Sequence, residues 1–281
     1  MRQATIGFIG GGNMARSMVS GLVGSGFNAK KIWICDKNQE KLDVFQQAYG
    51  VFGCKDQVEL VENCSVIILA VKPQALPSVV EAIGKQIKRK QPLVLSICAG
   101  VDMQKLSQWF GEKTAIVRVM PNTPALLQCG ASGMFANGHL AEQQKNLTEH
   151  IMRASGVAVW VKEEHQMDVV GALSGSGPAY FFLMMEIMSD VAIKLGLSEK
   201  QAKLLTTQTA YGAARMALES PDSVEKLRLK VTSKGGITEA AVSTLEKSGI
   251  RDMMEQAMLN NVKRGKELSG LFSQAPQITN K

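Results

Sequence analysis

Short apolar runs alternate with helical patterns along the first half of the chain. The runs are rich in β-branched residues and end in glycine or small polar residues, which is typical of β-strands. They occupy residues 5–10, 31–36, 65–71, 93–98 and 115–120, with two further short runs at 131–136 and 157–161. Helical patterns lie between the first five, at residues 13–25, 38–49, 74–87 and 103–110. This alternation predicts right-handed βαβ crossovers and a parallel, doubly wound sheet.

The pattern changes after about residue 163. No β-rich run follows, and helical segments take over at residues 177–195, 199–219, 223–231, 236–248 and 250–268. The segment that begins Ala179-Tyr-Phe-Phe-Leu-Met-Met is apolar nearly all round, so most of its surface must be buried. Because little chain follows it, we expect a second subunit to cover part of it. The sequence thus predicts an α/β domain at residues 1–163 and an all-α domain at 164–281, with a polar tail after Gly270.

The first predicted strand ends in a glycine-rich turn, Gly10-x-Gly12-x-x-Ala15, that leads directly into a helix. Dinucleotide binding needs this order: the first glycine permits a tight turn, the second lets the backbone approach a pyrophosphate, and the small third residue lets the helix pack on the strand. The open amides at the helix start then face the phosphates. The predicted dinucleotide contacts of this turn are Ile9, Gly10, Gly12, Asn13 and Met14.

Asp36 ends the second predicted strand. An acidic side chain at this place usually holds the ribose hydroxyls of NAD and repels the extra phosphate of NADP. Lys37 follows at once and offsets part of that repulsion. The alternative is an ordinary turn aspartate ahead of the helix that starts near Asn38.

The ends of the next three strands also face the dinucleotide, because ligands of open parallel sheets lie beyond the carboxyl ends of the strands. Small residues after the fourth strand leave room for a nicotinamide. The predicted cofactor contacts at these ends are Ala70, Val71, Lys72, Pro73 and Ala99. Asn122 follows the fifth strand in a loop that two prolines make rigid, and it is a predicted substrate contact.

Two segments of the helical half carry glycines and polar residues that core packing does not require. In Leu173-Ser-Gly-Ser-Gly-Pro-Ala-Tyr180, the glycines give a bent approach to a helix, and the proline suits its first turn. In the second, the Gly235-Gly236 pair runs into a helix rich in small residues. A carboxylate can dock there on backbone amides.

These motifs together resemble those of Δ1-pyrroline-5-carboxylate reductases, the last enzymes of proline biosynthesis. The resemblance rests on Gly-Phe-Ile-Gly-Gly-Gly-Asn-Met, Ala-Val-Lys-Pro, Met-Pro-Asn-Thr-Pro-Ala, Leu-Ser-Gly-Ser-Gly-Pro-Ala-Tyr and Ser-x-Gly-Gly-x-Thr, in this order, and it spans residues 5 to about 268. It implies a Rossmann-type N-terminal domain and a C-terminal helical dimerisation domain. It also implies NADPH or NADH as hydride donor, 1-pyrroline-5-carboxylate as substrate, L-proline as product, and at least a homodimer, open to assembly into a higher homo-oligomer.

The resemblance also assigns roles to residues of the helical half. Thr238 would hydrogen-bond the substrate as the catalytic residue, and Gly236 and Ile237 would offer amides to the substrate carboxylate. The remaining implied substrate contacts are Val231, Thr232 and Ser176.

Two positions depart from this pattern or fit it poorly. Lys234 stands where the family usually has proline, which leaves the detailed geometry of the Gly-Gly turn open. Glu164 lies where the family can place a substrate contact, but an ordinary surface carboxylate is the expectation here.

Composition excludes several other functions. The net charge is +7, yet the basic residues are dispersed and aromatic residues make up 5%, so nucleic-acid binding is not expected. The five cysteines and three histidines lack the spacing of metal ligands or of a disulfide framework. No apolar stretch reaches membrane-spanning length, and the N-terminus lacks a convincing signal sequence. The expected location is the cytoplasm.

Two alternative functions remain open. A related imine reductase or a β-hydroxyacid dehydrogenase shares this domain order, but the latter needs a helix-borne lysine, and Lys194, Lys200 and Lys203 lie outside any glycine-flanked motif. Comparing pyrroline-5-carboxylate with 3-hydroxy acids as substrates separates these readings. A non-catalytic dinucleotide-sensing protein would need no second anion site at Gly236. Titration of proline against the fluorescence of bound NADH tests that reading.

The assignment of Asp36 to the ribose predicts the coenzyme preference. We expect NADH to support turnover, because the carboxylate favours free ribose hydroxyls. The measurement is kcat/KM for each coenzyme at fixed substrate concentration. A preference for NADPH by several orders of magnitude would show that Asp36 does not select the coenzyme.

Overall fold

The computed structural model describes residues 4–273, and within them eight strands form a single sheet in the order β3-β2-β1-β4-β5-β6-β7-β8. The strands are β1 (Ile6–Ile9), β2 (Ile32–Cys35), β3 (Phe52–Cys54), β4 (Val66–Leu69), β5 (Leu93–Ser96), β6 (Ile116–Met120), β7 (Gly130–Ala136) and β8 (Gly156–Trp160). The first six pair in parallel, β7 pairs antiparallel with β6, and β8 runs parallel to β7. The predicted doubly wound parallel sheet is thus confirmed, with two reversed strands at one edge.

Helices lie between the strands along the chain, and after β8 the described residues form helices without further strands. They are α1 (Asn13–Gly24), α2 (Gln39–Tyr49), α3 (Gln57–Asn63), α4 (Leu76–Lys90), α5 (Met103–Phe110), α6 (Glu142–Arg153), α7 (Gln166–Val170), α8 (Gly177–Lys194), α9 (Glu199–Glu219), α10 (Val224–Lys230), α11 (Ile237–Lys247) and α12 (Ile250–Ser273). A π-helical turn, Gly171–Gly175, separates α7 from α8. Residues 274–281, most of the predicted polar tail, lie outside the described residues.

The central strands are apolar on both faces because helices cover both. Along β4, Ile68 packs into the hydrophobic cluster on one face of the sheet, and Ile67 and Leu69 pack into the cluster on the other. Every residue of β1, β4 and β5 is buried. The sheet is therefore packed on both faces, and this core anchors the loops that follow the carboxyl ends of its strands.

Side-chain caps fix where several helices begin. The carboxylate of Asp102 accepts the amide of Lys105 at 2.7 Å, and the side chain of Asn38 accepts the amide of Lys41 at 3.3 Å. Ser198 caps α9 together with Gln201. Helices α1 and α11 instead have glycine at the N-cap position and no side-chain cap.

The chain divides into two compact units. In the described residues, the first unit comprises 4–176 and 261–273, and the second comprises 177–260. The first unit thus extends past the predicted domain boundary at residue 163. In the second unit, helices α8 and α9 pack together, and both leave large apolar side chains exposed.

Cys35 and Cys98 are buried within an apolar cluster, whereas His139, His150 and His165 are exposed. In residues 4–273, no helix is both long and apolar enough to cross a membrane.

Two glycines of α1 predict opposite effects of the same substitution. A Cβ added to Gly21 would lie 2.1 Å from the carbonyl oxygen of Ala154, whereas one added to Gly24 meets nothing within 4 Å. We expect Gly21→Ala to lower the free energy of unfolding by about 1–3 kcal/mol or more through overpacking. Gly24→Ala should leave that free energy unchanged or raise it by up to about 1 kcal/mol. Chemical denaturation of both variants checks this, and equal stabilities would contradict it.

Candidate active site

The glycine turn after β1 is closed by the backbone of two other strand ends. Gly10 has a φ of +103°, and a Cβ added there would lie 2.6 Å from the carbonyl oxygen of Ala70. Its amide donates to the carbonyl oxygen of Cys35 at 2.8 Å. Only glycine fits this position, because any side chain would meet the backbone that follows β4.

Gly12 forms the open side of the same turn. It is the N-cap residue of α1, no side chain caps this helix, and a Cβ added to Gly12 meets nothing within 4 Å. The amides of Asn13 and Met14 therefore lack intrahelical partners. An uncapped helix start with free space in front of it suits a pyrophosphate, and these residues fit a bound dinucleotide.

Asp36 lies directly beside this turn. Its Oδ2 accepts the amide of Gly11 at 2.8 Å, its Oδ1 accepts the amide of Asn38 at 2.9 Å, and Lys41 lies 3.4 Å away. Partial burial of the carboxylate acts to raise its pKa, but the two amides and the lysine outweigh burial and lower the pKa below its ordinary value. Asp36 is therefore ionised at neutral pH and braces the glycine turn, besides its predicted role toward the ribose.

A cavity of about 290 Å³ opens at the end of β2. Its lining includes Lys37, Lys55 and Asp56, and Ser78 from the first turn of α4. Two lysines and one aspartate thus meet at the place where we expect the adenosine end of a dinucleotide. The proposed effect of Lys37 on the repulsion between Asp36 and an additional phosphate stays a prediction.

The predicted cofactor residues after β4 form a tight loop against the glycine turn. The amide of Ala70 donates to the carbonyl oxygen of Ile9 at 2.8 Å, while Val71 is half-buried. Lys72 is exposed and precedes the short 3₁₀ turn Pro73–Ala75. Ala70 thus lies against the glycine turn, and the chain reaches the surface at Lys72.

A larger cavity of about 630 Å³ lies within the first unit, beyond the ends of β4, β5 and β6. Pro73, Ala99, Gly100 and Pro121 contribute small or rigid walls. Its polar lining consists of Gln74, Arg118, Asp168, Ser176, Asn261, Arg264 and Ser269. The predicted nicotinamide residue Ala99 is exposed at this cavity, as the sequence argument requires of it.

Asn122 is buried, and backbone groups occupy its side chain. Its Nδ2 donates to the carbonyl oxygen of Ser174 at 3.0 Å, and its Oδ1 accepts the amide of Ala131 at 2.9 Å. The side chain therefore joins the loop after β6 to the π-helical turn. A substrate contact from Asn122 stays a prediction, and it would use the remaining N–H of the amide or the second lone pair of Oδ1.

Ser176 follows the π-helical turn at the edge of the larger cavity. Its amide donates to the carbonyl oxygen of Gly171 at 2.8 Å, and its hydroxyl accepts Nδ2 of Asn261 at 2.8 Å. Single π-helical turns are rare and are frequently found at functional sites. A substrate contact from Ser176 stays a prediction.

The predicted substrate turn lies in the second unit. Gly235 has a φ of +70°, and Gly236 is the N-cap residue of α11, which no side chain caps. Ile237 is 91% exposed, and Thr238 is half-buried in the first turn of the helix. The second unit therefore presents a helix start with a glycine N-cap and no side-chain cap.

Neighbouring residues hold this turn from within the second unit. The hydroxyl of Thr232 donates to the carbonyl oxygen of Arg228 at 2.6 Å, and Glu239 accepts the amide of Gly235 at 2.6 Å. Val231 and Lys234 are exposed. The turn keeps a defined shape although Lys234 replaces the usual proline.

Glu164 differs from the surface carboxylate that the sequence led us to expect. It pairs with the buried Arg118 and also accepts the amide of Met103 at 2.6 Å. The expectation failed because nothing local marks this contact, which joins residues 46 and 61 positions apart. The sequence does carry a signal for Arg118, because it lies inside an apolar strand and a buried cation rarely lacks an acidic partner.

A family model for pyrroline-5-carboxylate reductase dimerisation matches residues 164–268, and a model for coenzyme F420-dependent NADP oxidoreductases matches residues 5–100. The pyrroline-5-carboxylate reductase of Pseudomonas aeruginosa is 41% identical over 274 residues, which cover 98% of this chain and 100% of that protein.

Two solved structures agree. A pyrroline-5-carboxylate reductase from Coxiella burnetii is 44% identical with a TM-score of 0.91, and the match covers 94% of this chain and 98% of that one. The pyrroline carboxylate reductase of Plasmodium falciparum with NADP bound is 28% identical with a TM-score of 0.84, covering 96% and 99%.

The environment of Asp36 predicts a pH-dependent contribution to stability. Because its pKa is below the ordinary 3.8, its ionised form stabilises the fold fully above that value, and this contribution is lost as the pH falls through the lowered pKa. We expect Asp36→Asn to reduce the free energy of unfolding at neutral pH and the reduction to shrink in acid. Denaturation of both proteins between neutral pH and pH ~3 measures it. Asp43→Asn on α2 is the control, and a reduction independent of pH would refute the role of the charge.

Proposed function

The chain belongs to the pyrroline-5-carboxylate reductase family, and on that premise we propose that it reduces 1-pyrroline-5-carboxylate to L-proline with NADPH or NADH. The observation that carries the proposal is the pair of helix starts with a glycine N-cap and no side-chain cap, at Gly12 and at Gly236. The first suits a pyrophosphate and the second a small carboxylate. A protein that only sensed a dinucleotide would need the first alone.

The reaction asks the protein for position more than for chemistry. The protonated cyclic imine is already electrophilic at its C=N carbon, and the bound nicotinamide coenzyme supplies the hydride. The residues must hold that carbon against the nicotinamide and keep the carboxylate turned away. No side-chain nucleophile is required.

The substrate carboxylate would bind the amides of Gly236 and Ile237 in this proposal. Charge-assisted hydrogen bonds of this kind contribute about 1.5–3 kcal/mol each, which is enough to fix the face that receives the hydride. Thr238 adds the side-chain hydrogen bond and steadies the imine. The remaining proposed contacts are Asn122, Ser176, Val231 and Thr232.

The coenzyme would bind along the carboxyl edge of the sheet. Amides of Asn13 and Met14 hold the pyrophosphate, Asp36 and Lys37 bind the adenosine ribose, and Ala99 borders the nicotinamide. The other proposed contacts are Ile9, Gly10, Gly12, Ala70, Val71, Lys72 and Pro73. The fit rests on the space in front of Gly12 and on the cavities described above.

The helical half would form a homodimer. Helix α8 leaves Phe181 68%, Phe182 62% and Leu183 55% exposed in the single chain. Monomers rarely expose an apolar surface of this kind, because its hydration is unfavourable. We therefore propose that residues 164–281 form the dimerisation domain and residues 1–163 the coenzyme domain. Larger homo-oligomers would be built from this dimer, and the cytoplasm is the proposed location.

Replacement of Thr238 separates substrate binding from coenzyme binding. We expect Thr238→Ala to reduce catalytic efficiency severely with 1-pyrroline-5-carboxylate, because one charge-assisted bond of about 1.5–3 kcal/mol corresponds to roughly 10- to 150-fold. The dissociation constant for NADH should not change. Oxidation of NADH or NADPH by the imine and fluorescence titration of the coenzyme measure the two effects.

Thr244→Ala on the same helix is the matched control, since its hydroxyl donates to the carbonyl oxygen of Ala240 within the helix. An unchanged Thr238→Ala enzyme would remove Thr238 from the mechanism. Failure of the unaltered protein to oxidise either coenzyme with this imine would refute the proposed function.

A further inference from the structure

One carboxylate links three separate segments around the larger cavity of the first unit. Oε1 of Glu164 accepts the guanidinium of Arg118 in the middle of β6 and the amide of Met103 at the start of α5. Arg118 is 8% exposed, so its charge is removed from water and Glu164 is the acidic partner that compensates it. The three residues belong to different elements of the same unit.

Each of the three segments continues into a wall of that cavity. Met103 comes directly after the loop that contains Ala99 and Gly100, and Arg118 lines the cavity just before Pro121. Glu164 precedes α7, whose Asp168 lines the cavity too. A shift of Glu164 would therefore move all three walls.

A second link ties two of these segments together. Asn122 joins the loop after β6 to Ser174 in the π-helical turn, at 3.0 Å. The Arg118–Glu164 pair lies at the other end of the same two segments, before Asn122 and before Ser174 in sequence. One contact at each end, Arg118–Glu164 and Asn122–Ser174, therefore holds the end of β6 at a fixed distance from the π-helical turn.

Stability alone is a poor reason for this pair. Burying an arginine carries a large desolvation penalty, and apolar residues of similar size often stabilise a protein as well or better. The neighbours Val117 and Val119 show that β6 otherwise carries apolar residues. A charged pair at such a site is better explained by the unique arrangement that its geometry enforces.

We propose that Arg118 and Glu164 are positioning residues of the reaction: they hold the three walls of the cavity so that the nicotinamide and the imine carbon meet in reacting geometry. The inference rests on the proposed function and assigns neither residue a contact with the substrate. Small displacements of reacting groups, even by residues far from the chemistry, cost up to about 100-fold in rate.

The decisive variant replaces both charges while keeping the acceptor for Met103. In Arg118→Met with Glu164→Gln, the amide oxygen still accepts the Met103 N–H, and no unpaired buried charge remains. We expect this double variant to melt close to the unaltered enzyme and to bind NADPH equally well. Its kcat should fall about 10- to 100-fold, while the KM for the imine changes less than about threefold.

Arg118→Lys gives a second measurement, because a lysine keeps the charge but loses the planar fork. We expect a smaller fall in kcat than in the double variant. Glu62→Gln is the control: Glu62 pairs with Arg89 on the exposed surface of α3 and α4, and its loss should leave kcat and KM unchanged.

The possible outcomes differ clearly. A double variant with normal kcat, or a fall in kcat only in proportion to lost folded protein, would show a purely structural pair and overturn the proposal. So would failure of both the double variant and Arg118→Lys to fold. A rise in KM alone would point to direct substrate contact instead. Absence of activity in both the unaltered enzyme and Glu62→Gln would refute the proposed function itself. NADPH binding and the melting temperature of the double variant would still show whether the Arg118–Glu164 pair affects coenzyme binding or stability.

Discussion

The space that a side chain would occupy at Gly10 is the constraint on which the first unit depends. The carbonyl of Ala70 lies where a Cβ would be, and the carbonyl of Cys35 accepts the Gly10 amide. Three strand ends therefore converge on one glycine, and α1 begins three residues later at a start that no side chain caps. Close backbone approach and an open helix start follow from the same absence of side chains. The proposed phosphate site and the packing of the strands therefore depend on the same glycine turn.

Asp36 combines a structural role with the ribose contact that we propose for it. Its carboxylate accepts amides of Gly11 and Asn38, so the turn aspartate that the sequence left as an alternative and the ribose ligand are compatible roles for one residue. Lys37 and Lys55 line the neighbouring cavity together with Asp56. In the proposed coenzyme site, the choice between NADH and NADPH would depend on the balance of these charges with that of Asp36.

The fold was predictable where long buried runs set the period, and less so where elements were short or polar. Seven of the strands were predicted to within two residues at each end, but β3 was missed because Phe52–Cys54 has three residues and a central glycine. Helix α6 was missed because only Thr148, Ile151 and Met152 are buried, which leaves little apolar periodicity. The reversal of β7 was not foreseen, since strand direction depends on pairing between distant residues.

The candidate site was predictable at strand ends and glycine turns, because local geometry dictates both. It was not predictable where distant residues assemble: Asn261 reaches Ser176 across 85 positions, and Glu164 reaches Arg118 across 46. Such contacts carry no local signature, although they shape the cavity in which a hydride would move. An electrophilic imine needs no acid or nucleophile of unusual reactivity, so the rate advantage must come from how these contacts hold the reactants. The reaction therefore depends most on contacts between residues that are distant in sequence, and these are the contacts that sequence patterns predict least well.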